Sequence, residues 1–273
     1  MKSALIASIV AAAAGSATAS ITLTDGDANT TFDGIAGSAG FTQVEWNVAG
    51  SNQLSEQSFG ILVNGQFTFL HDLAPAVSFT TDTNGDMQDD TFFVGYDFMG
   101  LTIDITYTLT GGAPGSLFST LAEVIDISAA GNSTPVSFQF FEFANFDLGG
   151  TAIDSFIEVL TPGNTVRQGD EGGTVFASET VQTPEADYVL IGLEPDVRGA
   201  LTAGNLGAFG DPNALPSTFA DGDLAWAFGW DVTIQPSGVD STWQLSKIKQ
   251  VIPTPGTAGL IAMAGLAGIR RRR

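Results

Sequence analysis

The chain has 273 residues, 9 of them basic, 30 acidic and none cysteine, for a formal net charge of −21. That balance excludes nucleic-acid binding, because phosphate contacts need Lys and Arg. The missing cysteines exclude disulfides, thiol catalysis and Cys-based zinc sites. His71 is the only histidine, which removes most zinc-hydrolase ligand sets as well. High charge alone can signal disorder, but 44% hydrophobic residues and 20 phenylalanines supply ample core.

In chain order, Lys2 supplies a positive start, Ala4–Gly15 an apolar segment, and Ala17-Thr18-Ala19 a small-x-small cleavage site. Residues 1–19 therefore read as a signal peptide, with cleavage after Ala19 exposing Ser20. The body, residues 20–252, reads as one β-sandwich domain. Ile61–Phe69 is a hairpin around Asn64-Gly65, since Asn-Gly suits the tight turn that matches strand twist. Leu101–Thr110 alternates apolar and polar residues without a break, so one face is buried and the other wet. In Val136–Phe143 the aromatic phase slips at Phe140-Phe141. A β-bulge would explain this, as would a central strand buried on both faces. Pro195–Ser217 reads as a long loop, and no segment of the body shows a sustained 3.6-residue period. Trp226, Phe228, Trp230, Val232 and Ile234 share one face of a strand, and Thr242–Val251 forms the last one. Short strands bounded by Gly, Asn, Asp and Pro predict an all-β fold, an antiparallel sandwich of jelly-roll type. No fixed repeat points to a propeller or solenoid.

Several groups are candidates for chemistry. Asp82, Asn84 and Asp86 have the i, i+2, i+4 oxygen spacing that can wrap a hard cation. Met87 and Phe93 stand where an EF-hand loop needs Gly and Glu, so the segment favours an acidic turn, with weak calcium binding at most and no other cofactor. Asp25/Asp27 and Asp221/Asp223 are ordinary turn material. Glu142, after its aromatic run, would have a raised pKa if it pointed inward, as a glycosidase acid requires. His71 beside Asp72 could serve a Ser–His–Asp site, but no Gly-x-Ser-x-Gly elbow accompanies it. Trp46, Trp226, Trp230 and Trp243 could stack on sugars, although the alternation around Trp226 and Trp230 favours core. The Thr face of residues 102–110 is normal for a solvated sheet.

The C-terminus has three parts: Pro253-Thr254-Pro255-Gly256, an apolar run from Thr257 to Ile269, and Arg270-Arg271-Arg272-Arg273. The run is shorter than the about 20 residues a spanning helix needs unless Val251–Gly256 contribute. The arginines would be held on the cytoplasmic side, leaving the body outside on a weak anchor. A buried C-terminal helix with a solvated basic end is the competing reading, and terminal arginines make poor core.

This tail resembles the PEP-CTERM sorting signal, also labelled an ice-binding-protein C-terminal domain, which exosortase-type membrane transpeptidases recognise. Pro253, Pro255, Gly256, the apolar run and the arginine cluster match. Thr254 replaces the Glu of the eponymous motif, which makes this a variant form. The resemblance implies export to the cell surface or extracellular matrix, transient membrane anchoring through the short C-terminal helix of residues 253–273, and processing by an exosortase-like partner. It also implies association with extracellular polysaccharide. The expectation is a non-enzymatic surface protein. A carbohydrate-binding module and a carboxylate-based polysaccharide hydrolase are the alternatives.

Overall fold

The computed structural model describes residues 20–253, apart from 36–37, 130–131, 162–163, 171, 205–208, 211–217 and 237–240. The expected signal peptide, with Ala17 and Ala19, and the tail from Thr254 onward lie outside the described residues; Ser20 is described and exposed.

The strands are β1 (Ile21–Asp25), β2 (Ala28–Asp33), β3 (Thr42–Val48), β4 (Ser51–Asn52), β5 (Glu56–Val63), β6 (Gln66–Phe69), β7 (Val77–Thr81), β8 (Thr91–Phe98) and β9 (Leu101–Gly111). They continue with β10 (Ser119–Ser128), β11 (Val136–Asn145), β12 (Asp154–Thr161), β13 (Thr165–Asp170), β14 (Val175–Thr183) and β15 (Tyr188–Leu193). After helix α1 (Glu194–Thr202) come β16 (Thr218–Gly222), β17 (Leu224–Ile234) and β18 (Thr242–Pro253). Two antiparallel sheets pack as a sandwich. The first runs β1-β2-β3-β5-β11-β17-β15, with β4 on β3 and β6 on β5; the second runs β16-β12-β13-β14-β18-β10-β9-β8-β7.

Alternation makes the sheets amphipathic. Leu101, Ile103, Ile105, Tyr107 and Leu109 of β9 are buried between the sheets, while the intervening Thr102, Asp104, Thr106 and Thr108 are half-exposed. Trp226, Phe228, Trp230, Val232 and Ile234 of β17 line the same core from the opposite sheet. The β5–β6 turn places Asn64 at φ 50 and Gly65 at φ 79, the left-handed pair that this hairpin demands.

The Phe140-Phe141 doublet has a simple cause. β11 pairs with β5 and β17 without a register shift, so there is no bulge. The strand is instead buried on both faces. Phe138 and Phe140 enter the core between the sheets, and Phe141 and Phe143 enter a second cluster on the outer face.

That second cluster corrects the expected loop at Pro195–Ser217, because the segment opens as helix α1. Pro195 sits in its first turn, and Val197 and Leu201 pack onto Phe141, Phe143 and Phe209. Pro is favoured there because it lacks only an N–H with no partner inside the helix. Two turns hold one i, i+4 apolar repeat and a central Gly199, too little for a sustained period. The last strand is also longer than expected. β18 continues through Pro253, which pairs with Val175, so the sheet runs into the first residue of the tail motif.

Candidate functional site

Four strands bring opposite charges together in the middle of the sandwich. Lys247 and Lys249 of β18 occupy the inward phase between Leu245 and Val251, and all four are fully buried. Glu123 of β10, Glu142 of β11 and Glu179 of β14 face them, each 0% exposed. Lys247 Nζ lies 2.7 Å from Glu123 Oε2 and 2.8 Å from Glu179 Oε1, and it also contacts Glu142 Oε1. Lys249 Nζ lies 2.7 Å from Glu123 Oε1 and donates to Gln43 Oε1 at 2.6 Å. Trp226 Nε1 donates to Glu179 Oε2 at 3.1 Å.

The physics of this cluster is set by dryness. Burial pushes the Glu142 carboxyl well above its ordinary pKa, and the neighbouring Glu179 pushes it further. Burial also opposes charge on Glu123, but Lys247 and Lys249 outweigh it and hold that carboxyl low. On Lys247 burial is likewise outweighed, by the three glutamates, so its pKa rises. Lys249 has less compensation, and burial lowers it.

Glu142 therefore points inward with a raised pKa, as the sequence pattern allows. A general acid must also come within hydrogen-bond reach of its substrate. Glu142 is sealed between sheets and bonded to Gln57 and Lys247, which makes it a part of the core. Lys247, Lys249, Glu123, Glu179 and Gln57 escaped the sequence reading. Each shows in the sequence only as a charged or amide side chain on the apolar phase of an alternating strand, with nothing to mark its partners.

Other carboxylates gather at one end of the sandwich. Asp154 is 1% exposed and accepts from Leu224 N at 3.0 Å through Oδ2. Burial raises its pKa to about 7 against the bonds from Gln168 and Leu224, with Asp223 and Asp147 adding to the rise. An unfolded carboxyl titrates near 3.8. Between about pH 4 and 7 the folded protein thus keeps a proton that the unfolded chain has released, and stability falls as pH rises through that window. Asp154→Asn should flatten this slope and raise the urea midpoint at pH 8 but not at pH 4. An unchanged slope would show that Asp154 titrates normally.

The 82–90 loop spends its oxygens on its own backbone. Asp82 accepts from Gly85 N at 2.6 Å and Met87 N at 2.8 Å, Asn84 from Asp86 N at 2.9 Å, and Asp86 from Gln88 N at 2.9 Å. Among the described residues no group of three or more His, Cys, Asp or Glu side chains is arranged to hold a metal. A cation here must displace those amides. Calorimetry with calcium should show binding no tighter than about 10⁻⁴ M, reduced in Asp82→Ala/Asp86→Ala. Micromolar binding abolished by the double variant would overturn that.

The remaining candidates are structural. Asp25 Oδ2 accepts from Gly111 N at 2.8 Å and Asp27 Oδ2 from Gly115 N at 2.6 Å, which ties the N-terminal strand to β9 and the turn after it. Any side chain at Gly111 would collide, its Cβ falling 1.8 Å from the Asp25 carbonyl oxygen. Asp223 accepts from Asn145 Nδ2 at 3.2 Å. His71 is buried, stacked on Phe69 at 4.9 Å, and its pKa is lowered by that burial despite Asp72. Trp46, Trp226 and Trp230 are at most 1% exposed and belong to the core, so they offer no sugar platform; Trp243 packs against that core.

A shallow groove of about 370 Å³ opens on the outer face of the first sheet, beside the Asn64-Gly65 turn. Its polar lining comes from Asn64, Ser137, Gln139, Asp231 and Thr233. Gln139 Nε2 donates to Asp231 Oδ1 at 2.6 Å, and Tyr188 Oη donates to Asp231 Oδ2.

No family model and no curated protein matches the chain. Among solved structures, the fold is similar to a bacterial glucoamylase complexed with acarbose, with a TM-score of 0.56 and 10% identity over 91% of this chain. The chain spans only 34% of that glucoamylase's length. It is also similar to a GalM/aldose epimerase homologue from C. elegans, with a TM-score of 0.51 and 8% identity over 86% of this chain and 98% of the other. At such identities the likeness is one of fold, and both neighbours place the chain among large antiparallel sandwiches.

Proposed function

We propose that this chain is an exported, non-catalytic β-sandwich of the cell surface or extracellular matrix, sorted by its PEP-CTERM-like tail and associated with exopolysaccharide. The observation that carries this reading is the disposition of charge. The body contains Arg167, Arg198, Lys247 and Lys249 as its only cations. Arg167 pairs with Glu158, Arg198 with Glu194 and with Glu56 at 3.0 Å, and both lysines are consumed in the core. Every cation of the body is thus neutralised internally, and the exterior is polyanionic. Such a surface resists aggregation and repels anionic lipid heads. It meets acidic glycans through divalent ions and neutral glycans through hydrogen bonds of the kind the Asp231 groove offers. The sugar-related names of the two fold neighbours agree with a sandwich that works among carbohydrates.

The test is sorting. Full-length chain expressed in a host with an exosortase should be membrane-associated at first and lack Arg270–Arg273 once mature. Removing residues 254–273, which leaves β18 whole, should divert a folded protein to the medium. Mass spectrometry that finds Arg273 on the mature surface protein would sink the sorting reading.

A further inference from the structure

Lys249 and Gln57 are 192 residues apart and stand on opposite sheets, yet Lys249 Nζ rests directly on Gln57 Oε1 in the closed core. The amide nitrogen of Gln57 is held at 2.8 Å by Glu123 Oε2 and at 2.6 Å by Glu142 Oε1. The other oxygen of Glu123 lies 2.7 Å from Lys249 Nζ. One carboxylate therefore touches an amine with one arm and the nitrogen of an amide with the other. Water is excluded, since Lys249 and Glu123 are 0% exposed and Gln57 is 2% exposed.

We propose that Lys249 and Gln57 condense into an intramolecular isopeptide bond that staples the two sheets through the core. The Nζ lone pair of the free amine attacks Cδ of Gln57, and Glu123 Oε1 takes a proton from Nζ. The tetrahedral adduct collapses as the Cδ–Nε2 bond breaks. Glu123 returns the proton to Nε2, which leaves as ammonia. An amine and a primary amide become a secondary amide and ammonia, with no oxidant, reductant or cofactor. Glu123 is the catalytic residue, and Glu142 positions the leaving nitrogen. Fixed geometry is what makes so unreactive a pair feasible, because the fold already holds Nζ against the amide it attacks.

The neighbours are less suited. Gln43 also contacts Lys249, but its amide nitrogen donates to Thr30 Oγ1 at 2.7 Å, where no acid can protonate a leaving group. Lys247 is kept as an ammonium by its three carboxyl neighbours and has no lone pair to offer. Burial moves Lys249 the other way, toward the free amine. A staple here would close a loop spanning most of the domain in a chain that has no cysteine to do so.

The experiment is peptide mapping of the folded full-length protein under denaturing conditions, by pepsin digestion and tandem mass spectrometry. The expected result is a branched peptide joining the Gln57 and Lys249 segments, lighter than their sum by one ammonia, about 17 Da. The branch should vanish in Lys249→Met and in Glu123→Gln, the latter retaining both reacting residues. Linear Gln57 and Lys249 peptides at full mass from folded wild-type protein would overturn the proposal, whatever the variants do. So would a branch at Gln43, or a loss of water, about 18 Da, joining either lysine to a glutamate.

Discussion

Lys247→Met should cost about 3–5 kcal/mol of unfolding free energy, read as a lower urea midpoint at unchanged slope. Methionine matches the stem of lysine and leaves little cavity, so the loss isolates the charge. Without Nζ, Glu123 keeps Lys249 and the Gln57 amide, and Glu179 keeps the Trp226 indole. A buried carboxylate without its partner is among the costliest defects a core can carry. Glu142→Gln should behave differently, within about 1 kcal/mol of the parent, because burial and Glu179 push that carboxyl toward its neutral form and an amide replaces it nearly isosterically. Equal effects from the two variants would show that Glu142 is ionised and carries as much of the cluster as its neighbours.

The same cluster explains what was legible in the sequence and what was not. Strand patterning is a local signal, so the sandwich, the Asn64-Gly65 hairpin and the aromatic face of β17 could be read directly. The charged core could not, because it depends on which strands meet. Glu123 lies between Leu121 and Ile125, Glu179 between Ala177 and Val181, and Lys247 between Leu245 and Lys249 on the inward phase of their strands. Each looks like an isolated flaw in an apolar face. Only the pairing of β18 with both β10 and β14, and the packing of β11 and β5 across from it, turns the flaws into partners. Helix α1 was hidden for another reason: Val197 and Leu201 give a single repeat, and the surface they cover is made by Phe141 and Phe143 of β11.

The cluster also bears on specificity. β18 sits in the middle of its sheet, and a slip of one residue would send Lys247 and Lys249 to the solvent face and bring Ile248 inward. A slip of two would set the lysines against a different set of apolar neighbours. Buried ion pairs contribute little net stability compared with a well-packed apolar core. What this one supplies is a large penalty for every wrong register, at the strand that both holds the two halves of its sheet together and leads into the tail.

Trp226→Ala should be comparably severe, at about 3–5 kcal/mol, which for a domain of this size lowers the melting temperature by roughly 10 °C. The side chain is 0% exposed and stacks on Phe146 at 5.2 Å with planes 7° apart. Its removal opens a cavity and also takes a donor from Glu179, so the packing loss and the polar loss fall together. Trp226→Phe separates them. A phenyl ring keeps much of the stack but cannot donate, and the remaining deficit should be about 1–3 kcal/mol, the cost of an unmet buried acceptor. A tryptophan serving as a sugar platform would behave in the opposite way, losing glycan affinity in both variants while the melting temperature held. Calorimetric melts of the two variants beside the parent therefore measure directly whether this aromatic face belongs to the core or to a ligand.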